Sequence, residues 1–403
     1  MERLISIFGV FAILGIGFAL STNRKAIQPR VILWGLGLQF ALAVFILRTP
    51  VGVTTFQMLG TGITAMLDFA KEGAGFVFGP LANAEKNGFI FAFQVLPTII
   101  FVGTLMGIAY HFGIMQRIVA AIAKVMVYTM GTSGAESLSA VACVFVGQSE
   151  APLLIKPYIA KMTRSELMAT MTGGMATIAG SVMAAYIAMG VPASHLLAAS
   201  IMGAPAGLVM AKLMVPETEV SATAGGAEIT DSEKSANAIE AAAKGAIEGM
   251  HLAMIVAAML ISFIALVHLA NGGLGLLGTS METLLGYAFA PLAFVMGVPQ
   301  ADVLTFGGLL GKKIVLNEFV AYTDLTHILK GEVAGVTLTA RGGEMATYAL
   351  CGFANFSSIA INIGCIGGIA PERRGELASL GLRAMIGGAL ASCLTATIAG
   401  ILL

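Results

Sequence analysis

Phe145 to Tyr158 reads FVGQSEAPLLIKPY and sets a glutamine, a serine and a glutamate inside a very apolar chain. Of the 403 residues, 57% are hydrophobic and only 11% are charged, and mean hydropathy is +0.90. A soluble domain carries about 25% charged residues, so this composition belongs to a chain dissolved in a bilayer. A carboxylate there needs a physical reason, because near the bilayer centre it costs at least about 2.5 kcal/mol on the most forgiving scale.

Working outward, Leu4 to Thr22, Gly88 to Gln116, Leu167 to Ala211 and Ala384 to Leu403 contain no Asp, Glu, Lys or Arg. About 20 apolar residues span the hydrocarbon core as a helix. The third run is long enough for two spans, broken near Gly190-Val191-Pro192. The first lacks a small-residue cleavage motif and reads as a retained span. Arg24, Lys25 and Arg30 follow it, which places that loop in the cytoplasm and the N-terminus outside. With 22 basic and 22 acidic residues, the chain has no basic field of the kind nucleic-acid binding requires. Cys143, Cys351, Cys365 and Cys393 form no C-x-x-C pair and read as small residues in apolar surroundings, with no disulfide framework or zinc site.

To about residue 130 the chain reads as scaffold, with spans near Leu4 to Leu20, Val31 to Leu47 and Phe89 to Tyr110. Thr55 to Lys71 is amphipathic and too polar to cross, so it is assigned to the interface; Ile114 to Tyr128, with Arg117 and Lys124, is interfacial or steeply tilted. From Pro216 to Lys244 the composition turns polar, with Glu217, Glu219, Glu228, Asp231, Glu233, Lys234 and Glu240 among Ser, Thr, Ala and Gly. This is expected to be a solvated loop whose acidic run has no chemistry of its own.

After a span near Met250 to Leu269, two segments repeat the opening anomaly. Leu304 to Tyr322, LTFGGLLGKKIVLNEFVAY, carries Asn317-Glu318 between apolar flanks. Tyr348 to Ile363, YALCGFANFSSIAINI, holds Asn355, Ser357, Ser358 and Asn362 in a charge-free run. The pattern of an apolar segment with an acidic tip, then a polar-interrupted span, occurs in residues 134–190 and again in 300–365. Paired interrupted segments in two halves point to a transporter site built from re-entrant hairpins and discontinuous helices. Non-helical backbone at membrane depth survives only when buried in protein or facing water. The chain thus reads as an all-α polytopic membrane protein with a pseudo-symmetric site. Its divisions are 1–130 for scaffold spans and interfacial helices, 131–215 for the first hairpin and two spans, and 216–247 for a solvated cytoplasmic loop. A scaffold span and interfacial segment occupy 248–285, and the second hairpin and last two spans occupy 286–403.

Glu150 and Glu318 are the sharpest candidates, each beside an amide, Gln148 or Asn317. They read as partners of a polar substrate or of a coupling proton; the alternative is a solvated hairpin end, or ion pairs with Lys156 and with Lys312 or Lys313. Asn355 and Ser358 read either as packing residues, worth about 1 kcal/mol each, or, clustered after Gly352, as an unwound turn. Amides, hydroxyls and carboxylates brought together suit a neutral ligand with many hydroxyl and imide groups, such as a nucleoside, and suit an anion poorly.

GQSEAP at Gly147 to Pro152, NEF at Asn317 to Phe319 and GFANFSS at Gly352 to Ser358 resemble, in order and spacing, the motifs of the concentrative nucleoside transporters. The resemblance covers essentially the whole chain. It implies a cation-coupled nucleoside importer of the cell inner membrane, an elevator-type homotrimer with about eight transmembrane helices and two re-entrant hairpins per subunit. It also implies that Gln148, Ser149 and Glu150 address the nucleobase, partly through water, while Glu318, Asn355 and Ser358 hold the ribose. Phe353, Val182 and Leu260 would pack on the base of a uridine-like substrate. In sodium-coupled members an asparagine stands four residues before the motif glycine, where this chain has Cys143. The matching sodium ligands would be Cys143, the carbonyls of Val146 and Ile178, and the hydroxyl of Thr177. A thiol is a poor ligand for a hard cation, so the reading favours H+ over Na+, with Glu150 or Glu318 carrying the proton.

No covalent cofactor is implied, and His111, His195, His251, His268 and His327 receive no role. Two other classes compete: an intramembrane enzyme using Glu150 and Glu318 as an acid and base pair, and a channel-like assembly. The first lacks a metal-binding histidine motif and a serine nucleophile with a convincing base. The second is disfavoured by carboxylates at single sites instead of pore-lining rings.

Overall fold

The computed structural model describes residues 2–227 and 235–403, and among them there are helices and no strands. Glu228, Asp231, Glu233 and Lys234 of the acidic run lie outside the described residues. Among the described residues, seven helical stretches are long and apolar enough to cross a membrane: Glu2–Ala19, Pro29–Arg48, Phe91–His111, Arg164–Met189, Ala193–Met214, Ala238–Gly275 and Pro371–Leu402. The expected eighth is divided into Ala340–Leu350 and Phe356–Ile369, each too short to span alone.

These stretches differ in their surroundings. The windows in Arg164–Met189, Ala193–Met214 and Pro371–Leu402 are 83% to 89% buried, whereas those in the first three spans and in Ala238–Gly275 are 22% to 28% buried. The protein therefore has a tightly enclosed bundle and a set of peripheral helices that present apolar side chains outward. Small residues set the spacing between peripheral helices. A Cβ on Gly103 would lie 2.6 Å from the Gly245 carbonyl oxygen, and one on Gly249 would lie 2.8 Å from the Ile100 Cα. The backbones of Leu96–His111 and Ala238–Gly275 thus approach at paired Gly-x-x-x-Gly faces, where van der Waals contact replaces the hydrophobic driving force that lipid removes.

The two anomalous segments are helical hairpins. In the first, Gly134–Ala142 runs in, residues 143–150 turn, and Ala151–Leu154 with Lys156–Ile159 run out. In the second, Val303–Val315 runs in and Glu318–Leu329 runs out. Each is followed by an interrupted helix: Arg164–Ala176 and Gly180–Met189 around Thr177 to Ala179, then Ala340–Leu350 and Phe356–Ile369 around Cys351 to Asn355.

The polar loop departs from expectation in two ways. It ends at Asn237, because Ala238–Gly275 is one continuous helix whose first turn is capped by the Asn237 side chain; the predicted span near Met250 to Leu269 is only its apolar centre. Its opening section is also docked to the bundle. Lys212, 6% exposed, places its ammonium 2.7 Å from Glu136 Oε2 and 3.2 Å from Glu217 Oε2, and donates to Ser165 Oγ at 2.9 Å. Ser221 Oγ donates to Glu166 Oε1 at 2.6 Å. Glu136 and Glu166 also complete capping boxes with Ser133 and Thr163, starting the first hairpin and the first interrupted helix. Glu217 is therefore a structural ion-pair partner, whereas Thr218 to Val220, Ala222 and Ala224 to Gly226 are exposed, as expected of a solvated loop.

Candidate functional site

The candidate site forms where both hairpin tips meet both helix interruptions. Two glycines permit that approach. Gly147 has φ of +85°, and a Cβ there would lie 2.7 Å from the Ala179 Cβ in the first interruption. Gly352 has φ of +138°, and a Cβ there would lie 2.8 Å from both the Met175 carbonyl oxygen and Ser392 Oγ. A left-handed backbone admits glycine at little cost and side chains poorly, so these two positions let the halves interlock. The Phe145 carbonyl then accepts the Gly180 N–H at 2.8 Å, tying the first tip to the restart of its interrupted helix.

Glu318 is the first residue of its hairpin limb, and the Asn317 side chain caps that limb by accepting the Val320 N–H at 2.9 Å. The carboxylate is 5% exposed. Tyr186 donates its hydroxyl to one carboxylate oxygen at 3.0 Å, and Asn355 donates its amide to the other at 2.9 Å. Asn355 in turn accepts the Ser358 N–H at 3.0 Å and the Ser357 hydroxyl at 2.7 Å, capping Phe356–Ile369. The reading of this cluster as an unwound turn agrees with the observed interruption. Among the described residues neither lysine is in contact ion pairing with Glu318: Lys312 bridges Asp324 and Glu282, and Lys313 donates to the Ala349 carbonyl at 2.8 Å.

On the opposite side, Gln148, 6% exposed, donates to Ser358 Oγ at 2.9 Å and accepts from the Asn362 amide at 2.8 Å. Ser149 and Glu150 are exposed at the tip. Val182 and Leu260 are buried and Phe353 is half-buried. Two tertiary partners escaped the candidate set. Tyr186 carries no signal among the apolar residues of its helix, and Asn362, one of the polar residues interrupting its span, has no assigned role until the fold brings Gln148 against it. Around the first interruption, Thr177 donates its hydroxyl to the Gly173 carbonyl at 3.0 Å, and the Ile178 carbonyl accepts from Ser200 at 3.4 Å. The buried Cys143 thiol packs against Gly174, 3.6 Å from where a Cβ on that residue would stand. Of the histidines, His195 meets the Tyr348 hydroxyl at 3.3 Å, while His251 and His268 lie on the exposed face of the long helix.

Paired hairpins inserted against two interrupted helices, with polar side chains meeting at the breaks inside a multi-pass membrane bundle, define a transporter architecture. Comparison with known proteins makes the class specific. Residues 195–400 match the sequence family described as Na+ dependent nucleoside transporter C-terminus, residues 8–81 its N-terminus, and residues 92–193 the family described as Nucleoside recognition. The chain belongs to the Na+-dependent nucleoside transporter family; it is not an enzyme. An uncharacterized transporter of Haemophilus influenzae is 46% identical, covering 100% of this chain and 98% of that protein. Sodium/nucleoside cotransporter 1 of Rattus norvegicus is 42% identical, covering 100% of this chain and 64% of the relative. The structure of CNTnw in an inward-facing substrate-bound state superposes with a TM-score of 0.95 at 41% identity, covering 100% of this chain and 99% of that one.

Proposed function

We propose that this protein is a secondary active importer that carries nucleosides across the cell inner membrane together with a cation. The observation that carries the reading is the convergence of Glu318, Asn355, Ser358 and Gln148 at the meeting of the two hairpin tips with the two helix breaks. Glu318, Asn355 and Ser358 hold the ribose hydroxyls. Gln148, Ser149 and Glu150 address the base, in part through water, and Phe353, Val182 and Leu260 supply the apolar walls. The hydrogen bonds from Gln148 to Ser358 and from Asn355 to Glu318 keep these groups satisfied until a nucleoside replaces some of them. An analogue lacking a hydroxyl leaves a buried partner unmatched at about 1–3 kcal/mol per group, which supports discrimination against deoxyribonucleosides.

The proposed cation is a proton in preference to sodium. The donor set at the first interruption offers the Val146 and Ile178 carbonyls, the Thr177 hydroxyl and the Cys143 thiol, and sulfur is a soft donor. Both oxygens of Glu318 accept hydrogen bonds from neutral donors, whereas Glu150 is exposed at the hairpin tip and is the proposed proton carrier. Sodium is the second reading, favoured by the family description and by the names of the mammalian relatives. The proposed movement is an elevator stroke of the enclosed bundle, hairpins included, against the peripheral helices, within a homotrimer.

Uptake of radiolabelled uridine into proteoliposomes under an imposed proton or sodium gradient tests the whole reading. Accumulation driven by the proton gradient alone is the expected result. Accumulation driven by sodium alone would overturn the ion assignment, and failure under both gradients would overturn the importer reading.

A further inference from the structure

The second interrupted helix stops at Leu350 in the middle of the enclosed bundle, so the carbonyls of its last turn need donors that neither water nor lipid supplies. Tyr322 of the second hairpin donates its hydroxyl to the Thr347 carbonyl at 2.7 Å. Ser392 of the last span donates to the Cys351 carbonyl at 2.9 Å. The third donor, to the Ala349 carbonyl at 2.8 Å, is an ammonium, that of Lys313, which is 0% exposed.

A neutral hydroxyl or amide would satisfy a carbonyl without bringing a buried charge, whose desolvation costs several kcal/mol. Two features give the charge a purpose. A half-helix C-terminus carries the negative end of its dipole, and Lys313 lies on the same hairpin as Glu318, five residues before it. Tyr186 and Asn355 hydrogen-bond the Glu318 carboxylate, and Tyr322 and Ser392 share the broken helix end with Lys313. Lys313 acts on Glu318 through space, not through a contact ion pair. The neighbouring Lys312 is occupied elsewhere by Asp324 and Glu282. The other half of the molecule is built differently: residues 134–155, forming the inward limb and tip of the first hairpin, contain no Lys or Arg.

We propose that Lys313 is a positioning residue for nucleoside recognition, a cation tethered in the second hairpin that pins the broken end at Ala349 and opposes the buried Glu318 carboxylate. The two halves then handle positive charge differently. The second half carries a permanent cation at its helix break, while the inward limb and tip of the first hairpin carry none. The role in recognition rests on the assignment of Glu318 to the ribose, whereas the charge pairing does not.

Two measurements test it separately. The first is a thermal-melting cycle in detergent on the full chain with Lys313→Met, Glu318→Gln and both together. Lys313→Met is expected to lower the midpoint more in the wild-type background than in the Glu318→Gln background, because in the latter no buried carboxylate is left unopposed. An equal or larger drop in the Glu318→Gln background would overturn the proposal. If Lys313→Met yields no folded protein, recovery of folded Lys313→Met/Glu318→Gln supports the pairing and failure of both overturns it. The second is uridine affinity by calorimetry. Lys313→Met, or Lys313→Gln if the former does not fold, should weaken it about tenfold or more, and Lys313→Arg should restore most of the loss. Unchanged affinity, or a loss that arginine does not restore, would remove Lys313 from recognition. Absence of uridine binding by the wild type would instead reject the nucleoside-site reading, leaving the melting cycle to judge the charge pair.

Discussion

Glu318 shows how a carboxylate is accommodated inside the bundle. Each oxygen has a neutral donor, one from the first half of the chain and one from the second. Removing the phenol in Tyr186→Phe leaves one oxygen without its donor, and should destabilise the fold by about 1–3 kcal/mol, read as a lower melting midpoint. Glu318→Gln should weaken uridine binding severely, because an amide cannot accept at both positions; unchanged affinity by calorimetry would exclude the residue from the site. Cys143 is the position that tests the ion. Cys143→Asn supplies the oxygen that the thiol lacks, and should make uridine uptake responsive to a sodium gradient. The same response in the wild type would show that the thiol does not set ion preference.

Interrupted helices and hairpins depend on how tightly they interlock. At Gly352 a methyl group meets both the Met175 carbonyl and Ser392 Oγ, at a backbone angle that disfavours any side chain. Gly352→Ala should therefore cost about 1–3 kcal/mol and abolish uptake, measured as a lower melting midpoint and loss of transport in proteoliposomes. At the other end of the bundle, Lys212 joins the base of the first hairpin, the first interrupted helix and the loop at Glu217. Lys212→Met leaves Glu136 buried without its cation and should destabilise by about 3–5 kcal/mol, whereas Glu219→Gln, on the exposed part of the same loop, should be close to neutral.

For the molecule as a whole, the contrast between enclosed spans and peripheral helices determines which side chains face outward. Helices such as Ala238–Gly275 leave large apolar side chains uncovered, among them Leu269 at 74% and Ile261 at 73% exposure, as does the helix Pro50–Phe78 with Phe76 at 93%. Lipid or further copies of the chain cover such surfaces, and the proposed trimer makes a definite statement about them. Native mass spectrometry from mild detergent should give three chains per particle; a monomer would overturn that part of the proposal.

Much of this was legible in the linear chain. Membrane residence follows from composition alone, because long charge-free runs have no other stable solvent. Glu150, Glu318 and the Asn355 cluster stood out because polar groups in such runs demand compensation, and their recurrence in two halves disclosed the hairpins. Motif order carried the family. What remained hidden depended on contacts between residues far apart in sequence. Tyr186 and Glu318 are 132 residues apart, and Gln148 and Asn362 are 214 apart, so no local pattern announces either pair. The loop reading failed at Glu217 for the same reason, since an acidic side chain looks solvated until a buried lysine from another helix meets it. Lys312 and Lys313, adjacent and chemically identical, are parted by helix geometry: one reaches carboxylates at the rim and the other a carbonyl inside the bundle. Local chemistry determines which groups need partners, and the folded backbone determines which partners are within reach.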